Sequence, residues 1–274
     1  MVPAMIVLVA GAHGRLGGRV VALLLSRGHV VRALVRTQMQ ADALSSAGAE
    51  PLVADLRGDV EWTADGCDAA VFAAGARHRA ELSAIDAGGA AKLAEAADRY
   101  ELSRFVFCSA LGAGRPERRQ GPVREFLAAK HHAERRIERL DLRWTILRFG
   151  RLSDEPGSGA ISTTVPPGTP VFLNRDDAAL AIVEALPRQH LGHQVIDVID
   201  GDRRVADALD AVEPRPLPPI HDSGLGAAQT ENAPVAPDML RADASPLDAD
   251  VDFEGDGPLP PELHGNDDPA PGIP

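Results

Sequence analysis

Two hydrophobic rhythms alternate along the chain. Residues 5–10 form a continuous apolar run of strand length, as expected for a strand covered on both faces. Helix-spaced apolar residues over 19–25 follow it and close at Gly28. The alternation then repeats as strand 29–36, helix 38–47 ending at Gly48, strand 51–54, strand 68–76 and helix 79–99, the last softened by Gly88 and Gly89. Next come strand 104–108 with a turn over 109–114, helix 123–140, strand 143–148, helix 176–186, strand 194–199 and helix 205–212. Between these, residues 149–170 are rich in Gly, Pro and Ser, the composition of a mobile loop over a site. Strands alternating with helices predict an α/β fold, a doubly wound parallel sheet with its ligand at the carboxyl ends of the strands.

The join between the first strand and first helix reads Gly11-Ala12-His13-Gly14-Arg15-Leu16-Gly17-Gly18. Gly11 suits the tight turn, Gly14 removes a Cβ where a pyrophosphate must approach the backbone, and Gly17 lets the helix lie close to the strand. The free N–H groups of the helix start then face the anion. Three glycines at this spacing are a weak signal alone. Their place between a buried-type strand and a helix, at the head of a βα alternation, makes them a dinucleotide-binding fingerprint. The second strand ends in Arg36, where an acidic residue would accept a ribose 2′-OH and a basic one accommodates a 2′-phosphate. With Arg15 in the glycine loop as a second guanidinium, the expected cofactor is NADP(H) in preference to NAD(H). The strand at 68–76 closes in Ala73, Ala74 and Gly75, small residues that leave room for a flat ring.

Composition changes the picture at the C-terminal end. Residues 213–274 hold 13 of the 22 prolines, and their 13 Asp and Glu against Arg215 and Arg241 leave a net charge of −11. The chain as a whole carries −12, so residues 1–212 are nearly neutral. A proline-rich acidic segment whose one aromatic is Phe253 cannot bury enough apolar area to order itself. The expectation is a single domain, 1–212, followed by a disordered acidic tail, 213–274, which is a candidate segment for a protein partner. The near-neutral body has no basic stripe, which argues against nucleic acid. No apolar run reaches membrane-spanning length, and Cys67 and Cys108 read as buried reduced thiols, so the chain is expected to be cytoplasmic. No cluster has metal-ligand spacing, and nothing in the sequence fixes the oligomeric state.

GAHGRLGG at 11–18, VRALVR at 31–36, ADL at 54–56, FAAGA at 72–76, RFVFCSALGA at 104–113, FLAAKHHAE at 126–134 and LRFGRLSDE at 147–155 resemble the short-chain dehydrogenase/reductase superfamily. Within it they resemble the atypical group of NmrA-like regulators and biliverdin- and flavin-reductase-like proteins. The resemblance implies a Rossmann fold with Gly11, His13, Gly14, Arg15, Leu16 and Gly17 on the pyrophosphate and Arg36 on the 2′-phosphate. It implies Asp55 and Leu56 at the adenine, Ala73, Ala74 and Gly75 beside the riboses, Lys130 on the nicotinamide ribose, and Phe149, Gly150 and Arg151 at the carboxamide end. The family's catalytic tyrosine lies four residues before the lysine, and here that place is Phe126; the serine place falls on Ser109 or Ala110. Ser109 and Lys130 are the candidate catalytic residues. His131 and His132 on the lysine helix, and His78 and Arg79 beyond the fourth strand, read more simply as solvated surface. A phenyl ring donates no proton, which points to a small-molecule acceptor that takes hydride directly, such as a flavin, quinone or bilin-like ring. A redox sensor or scaffold that binds NADP(H) without turnover is the alternative.

Overall fold

The computed structural model describes residues 3–166 and 171–214. The acidic segment lies outside the described residues from 215 onward. The apolar runs fold into strands β1 (Ile6–Ala10), β2 (Val30–Val35), β3 (Glu50–Val53), β4 (Ala69–Phe72), β5 (Arg104–Ala110) and β6 (Trp144–Phe149). Three short strands follow, β7 (Arg151–Ser153), β8 (Ala160–Ser162) and β9 (Phe172–Asn174), then β10 (Gln194–Asp200) and β11 (Arg203–Arg204). The helices are α1 (Arg15–Ser26), α2 (Gln38–Ser46), α3 (Ala90–Arg99), α4 (Gly121–Ile137), α5 (Arg175–Ala185) and α6 (Val205–Asp210).

Nine strands form one sheet in the order β11-β8-β10-β6-β5-β4-β1-β2-β3. The run from β3 through β6 has the 3-2-1-4-5-6 order of a dinucleotide-binding fold, with the topological switch between β1 and β4. Pairing is parallel from β3 to β10, with Ala10 beside both Leu34 and Phe72. The Rossmann reading therefore holds, with one addition: β8 and β11 join the β10 edge antiparallel. Alternate residues of β1 enter two separate cores, Val7 and Val9 on one face and Leu8 and Ala10 on the other. Helices α1 and α5 pack against each other on the first face, and α3 and α4 cover the second. Burial on both faces explains the unbroken apolar runs.

Residues 149–166 differ from the loop expected there. Arg151–Ser153 pairs in parallel with Phe172–Asn174, and Ala160–Ser162 pairs with both β10 and β11. Strands of three residues set between Gly, Pro and Ser carry too few alternations to register as a period, which is why composition alone reads them as a loop. Part of the loop that was expected, 167–170, lies outside the described residues.

Candidate functional site

The glycine turn is built by exclusion. Gly11 adopts φ +80, and a Cβ there would stand 2.6 Å from the Ala74 Cα, while a Cβ on Gly17 would stand 2.0 Å from the Gly11 carbonyl oxygen. Those backbone collisions lock β1, α1 and the exit of β4 together and leave no choice but glycine. Gly14 is the N-cap of α1, and no side chain caps that helix start. Gly14, Arg15 and Leu16 instead line a cavity of about 420 Å³ at the carboxyl ends of β1, β2, β4, β5 and β6.

Every candidate residue from the sequence except Gly17 lines this one cavity: Gly11, His13, Gly14, Arg15, Leu16, Arg36, Asp55, Leu56, Ala73, Ala74, Gly75, Ser109, Lys130, Phe149 and Gly150. Gly17 lies beneath it, buried against Gly11. At one end Arg36 is exposed beyond β2, and its backbone N–H donates to Gln40 Oε1 at 3.0 Å. Burial, then the nearby charges of Arg36 and Glu81, shape Arg77, whose pKa is lowered overall. The His13 imidazole is likewise held below its ordinary range, first by burial and then by Arg77. Arg36 and Arg77 thus make this corner electropositive, with His13 beside them as a largely neutral imidazole. Arg15 turns elsewhere: its guanidinium pairs with Asp154 at the end of β7, which also receives Arg19 at 3.3 Å and Arg175 at 2.9 Å. The charge of Arg36 acts on Arg77, which makes Arg77 a further guanidinium at this end of the cavity. The Asp55 carboxylate is clasped by Arg57, whose Nη2 stands 2.6 Å away, and this holds its pKa down at about 2.

At the other end α4 presents Lys130, only 5% exposed. Its Nζ donates to the Cys108 carbonyl at 3.2 Å and lies 2.9 Å from Asp86 Oδ1. That second contact lacks hydrogen-bond geometry and is an attraction of charges. One turn earlier on the same helix face, Phe126 places its ring centroid 5.8 Å from Nζ, and Phe107 covers Nζ at 5.2 Å. Ser109 is turned from the cavity's reactive end, for its hydroxyl donates to Glu134 Oε1 at 2.6 Å. Glu134, 1% exposed, also accepts from Arg148 Nε at 2.9 Å and Nη2 at 2.6 Å. Burial alone lowers the Arg148 pKa, but its bonds to Glu134 outweigh this and hold it above its ordinary value. Burial pushes the Cys108 thiol up to about 12, so it is no nucleophile at neutral pH.

The surface histidines of the sequence reading divide as follows. His132 and His78 are exposed, His131 is half-buried, and Arg79 pairs with Glu125. Among the described residues no group of three or more His, Cys, Asp or Glu is arranged to hold a metal, and no helix is long and apolar enough to cross a membrane. Among the cavity residues that the sequence did not single out are two charged ones, Arg77 and Asp86. Arg77 follows the FAAGA segment directly, and Asp86 is a lone acid among Ala84, Ile85, Ala87 and two glycines, which is a legible anomaly in an apolar run.

These residues sit in a chain whose residues 11–189 match the NAD(P)H-binding family, and the protein belongs to that family. Among individual proteins, one of Bacillus subtilis (strain 168), described as an uncharacterized sugar epimerase, YhfK, is 35% identical over 212 residues, 74% of this chain and 98% of its own length. A solved structure of a putative NAD-dependent epimerase/dehydratase from Bacillus halodurans is 30% identical, with TM-score 0.73, covering 76% of this chain and 100% of that one. An anaerobilin reductase of Escherichia coli O157:H7, 22% identical with TM-score 0.62 over 72% of this chain and 98% of its own, shares the fold.

Proposed function

We propose that the protein is an NADPH-dependent reductase that passes hydride to a conjugated acceptor, a flavin, quinone or bilin-like ring, without a catalytic tyrosine. The observation that carries this reading is the pairing of a complete dinucleotide cradle with a disarmed proton-donor position. Gly11 and Gly17 let β1, α1 and the exit of β4 close together where a Cβ would collide, and the uncapped start of α1 at Gly14 leaves backbone N–H groups facing the cavity, so the residues fit a dinucleotide. Arg36, with Arg77 near it, offers the charge that a 2′-phosphate needs. Of the residues lining the cavity, Asp55 and Leu56 would flank the adenine, Ala73, Ala74 and Gly75 the riboses, and Phe149 and Gly150 the carboxamide. Lys130 would donate to the nicotinamide ribose. When bound, NADPH supplies the hydride.

Phe126 supplies no proton, and the Ser109 proton is committed to Glu134. Simple ketones and aldehydes, which need an acid at the developing alkoxide, are therefore poor acceptors, whereas a conjugated ring delocalises the incoming charge. The same gap speaks against reading the relatives' epimerase labels onto this chain, because that chemistry leans on the missing tyrosine. A redox sensor that binds NADP(H) without turnover is the second reading, and Phe126 is what favours it. We take the setting to be cytoplasmic and the acidic segment to be separate from the catalytic domain, 1–212. Phe126→Tyr tests the acceptor reading: a hydroxyl restored at that place is expected to raise reduction of simple carbonyls by about 10²-fold, the lower end of general-acid effects. A wild-type protein that already reduces a simple ketone fast, with no gain in Phe126→Tyr, overturns it.

A further inference from the structure

We infer that Asp86 is the positioning residue of this site: its carboxylate holds the Lys130 ammonium and ties it to the loop leaving β4. This rests on the proposed role of Lys130 toward NADPH. Asp86 is fully buried, at 0% exposure, with Oδ1 2.9 Å from Lys130 Nζ and Oδ2 accepting from the Ala76 N–H at 2.8 Å. One carboxylate thus spans the segment beside the riboses and the lysine on α4. A buried carboxylate facing a buried ammonium needs such a partner, since either charge alone in that setting is strongly disfavoured.

The local backbone explains how an acid comes to lie there. Residues Ser83–Gly89 form a π-helical turn leading into α3, and Ile85, Asp86 and Ala87 are all buried within it. π-Turns are rare and tend to occur at functional sites, because their extra residue re-aims a side chain that regular helix would place elsewhere. The turn is held tightly: a Cβ on Gly89 would stand 3.1 Å from Leu56 Cβ, and one on Gly88 3.2 Å from the Ser83 carbonyl oxygen. The other groups around Lys130 do not replace Asp86. Cys108 offers a carbonyl and a protonated thiol, Phe107 and Phe126 offer ring faces, and Glu134, one turn along α4, is taken by Ser109 and Arg148. With its ammonium held by the charge of Asp86 and by one hydrogen bond to the Cys108 carbonyl, Lys130 keeps donors for the cavity that it lines.

A double-mutant cycle in the full chain tests this. Asp86→Asn keeps an acceptor for the Ala76 N–H and removes the charge, and Lys130→Met removes the ammonium. NADPH dissociation constants from fluorescence titration and melting temperatures without cofactor are the two readouts. Each single variant is expected to weaken NADPH by about tenfold, as loss of one charge-assisted bond does, with the double variant no weaker than Lys130→Met alone. Without cofactor, the double variant is expected to melt above Asp86→Asn, because no uncompensated buried charge remains. Independent, additive losses in both readouts overturn the inference. If the wild-type protein fails to bind NADPH, the proposed function falls, and the melting cycle still decides whether the two residues act as a pair.

Discussion

In the proposed function, cofactor choice turns on Arg36. It ends β2 in the open, and the structure sets Arg77 and His13 near it while Asp154 engages Arg15. The sequence pointed to Arg36 through its place at the end of the second strand. It could not show Arg15 turning to Asp154, since that pairing joins α1 to a strand 136 or more positions away whose own existence was illegible. Arg36→Asp is expected to weaken NADPH by about 10–100-fold, the loss of a charged bond worth about 1.5–3 kcal/mol, and to leave NADH preferred. Calorimetry with both cofactors checks it; equal affinity of the wild-type protein for NADPH and NADH contradicts it. Asp86 was missed for a different reason. A lone acid in an apolar stretch stands out in the sequence, but periodicity does not show that it points inward, which only the π-turn backbone reveals.

Among the elements, α4 carries the most. One face presents Phe126 and Lys130 to the cavity, and Glu134 one turn further on anchors both Ser109 of β5 and Arg148 of β6. The four-residue spacing of Phe126, Lys130 and Glu134 was visible as one helix face. That the last of the three pairs with the half-buried Arg148 was not, because periodicity assigns faces and not partners. Glu134→Ala leaves Arg148 largely buried without its carboxylate and is expected to cost about 3–5 kcal/mol, a fall of roughly 10 °C in Tm for a domain of this size. Scanning calorimetry measures it, and an unchanged Tm means that the Ser109–Glu134–Arg148 network contributes nothing. The long elements β1, α1, β5 and β6 were legible because both rhythms persist in them for five residues or more. The edge strands β7, β8, β9 and β11 have two or three residues each and owe their form to neighbours far along the chain.

At the scale of the molecule, the strand order gathers residues from six separate segments at one end of the sheet, and that convergence is what the glycine turn foretold. Residues 213–274 fall almost wholly outside the described residues. With 13 prolines and a net charge of −11 from 13 acids and two arginines, they are expected to be dispensable. The truncated chain 1–212 should melt within a few degrees of the full chain and keep its NADPH-induced stabilisation. A large drop in Tm, or loss of that stabilisation, contradicts the boundary. The central claim is that a dinucleotide cradle without a tyrosine acid reduces conjugated rings, and NADPH oxidation by the purified protein across flavins, quinones, bilins and simple ketones tests it most directly. Turnover is expected with at least one conjugated acceptor and none above background with simple ketones; fastest oxidation with a simple ketone, or no oxidation with any acceptor, contradicts it.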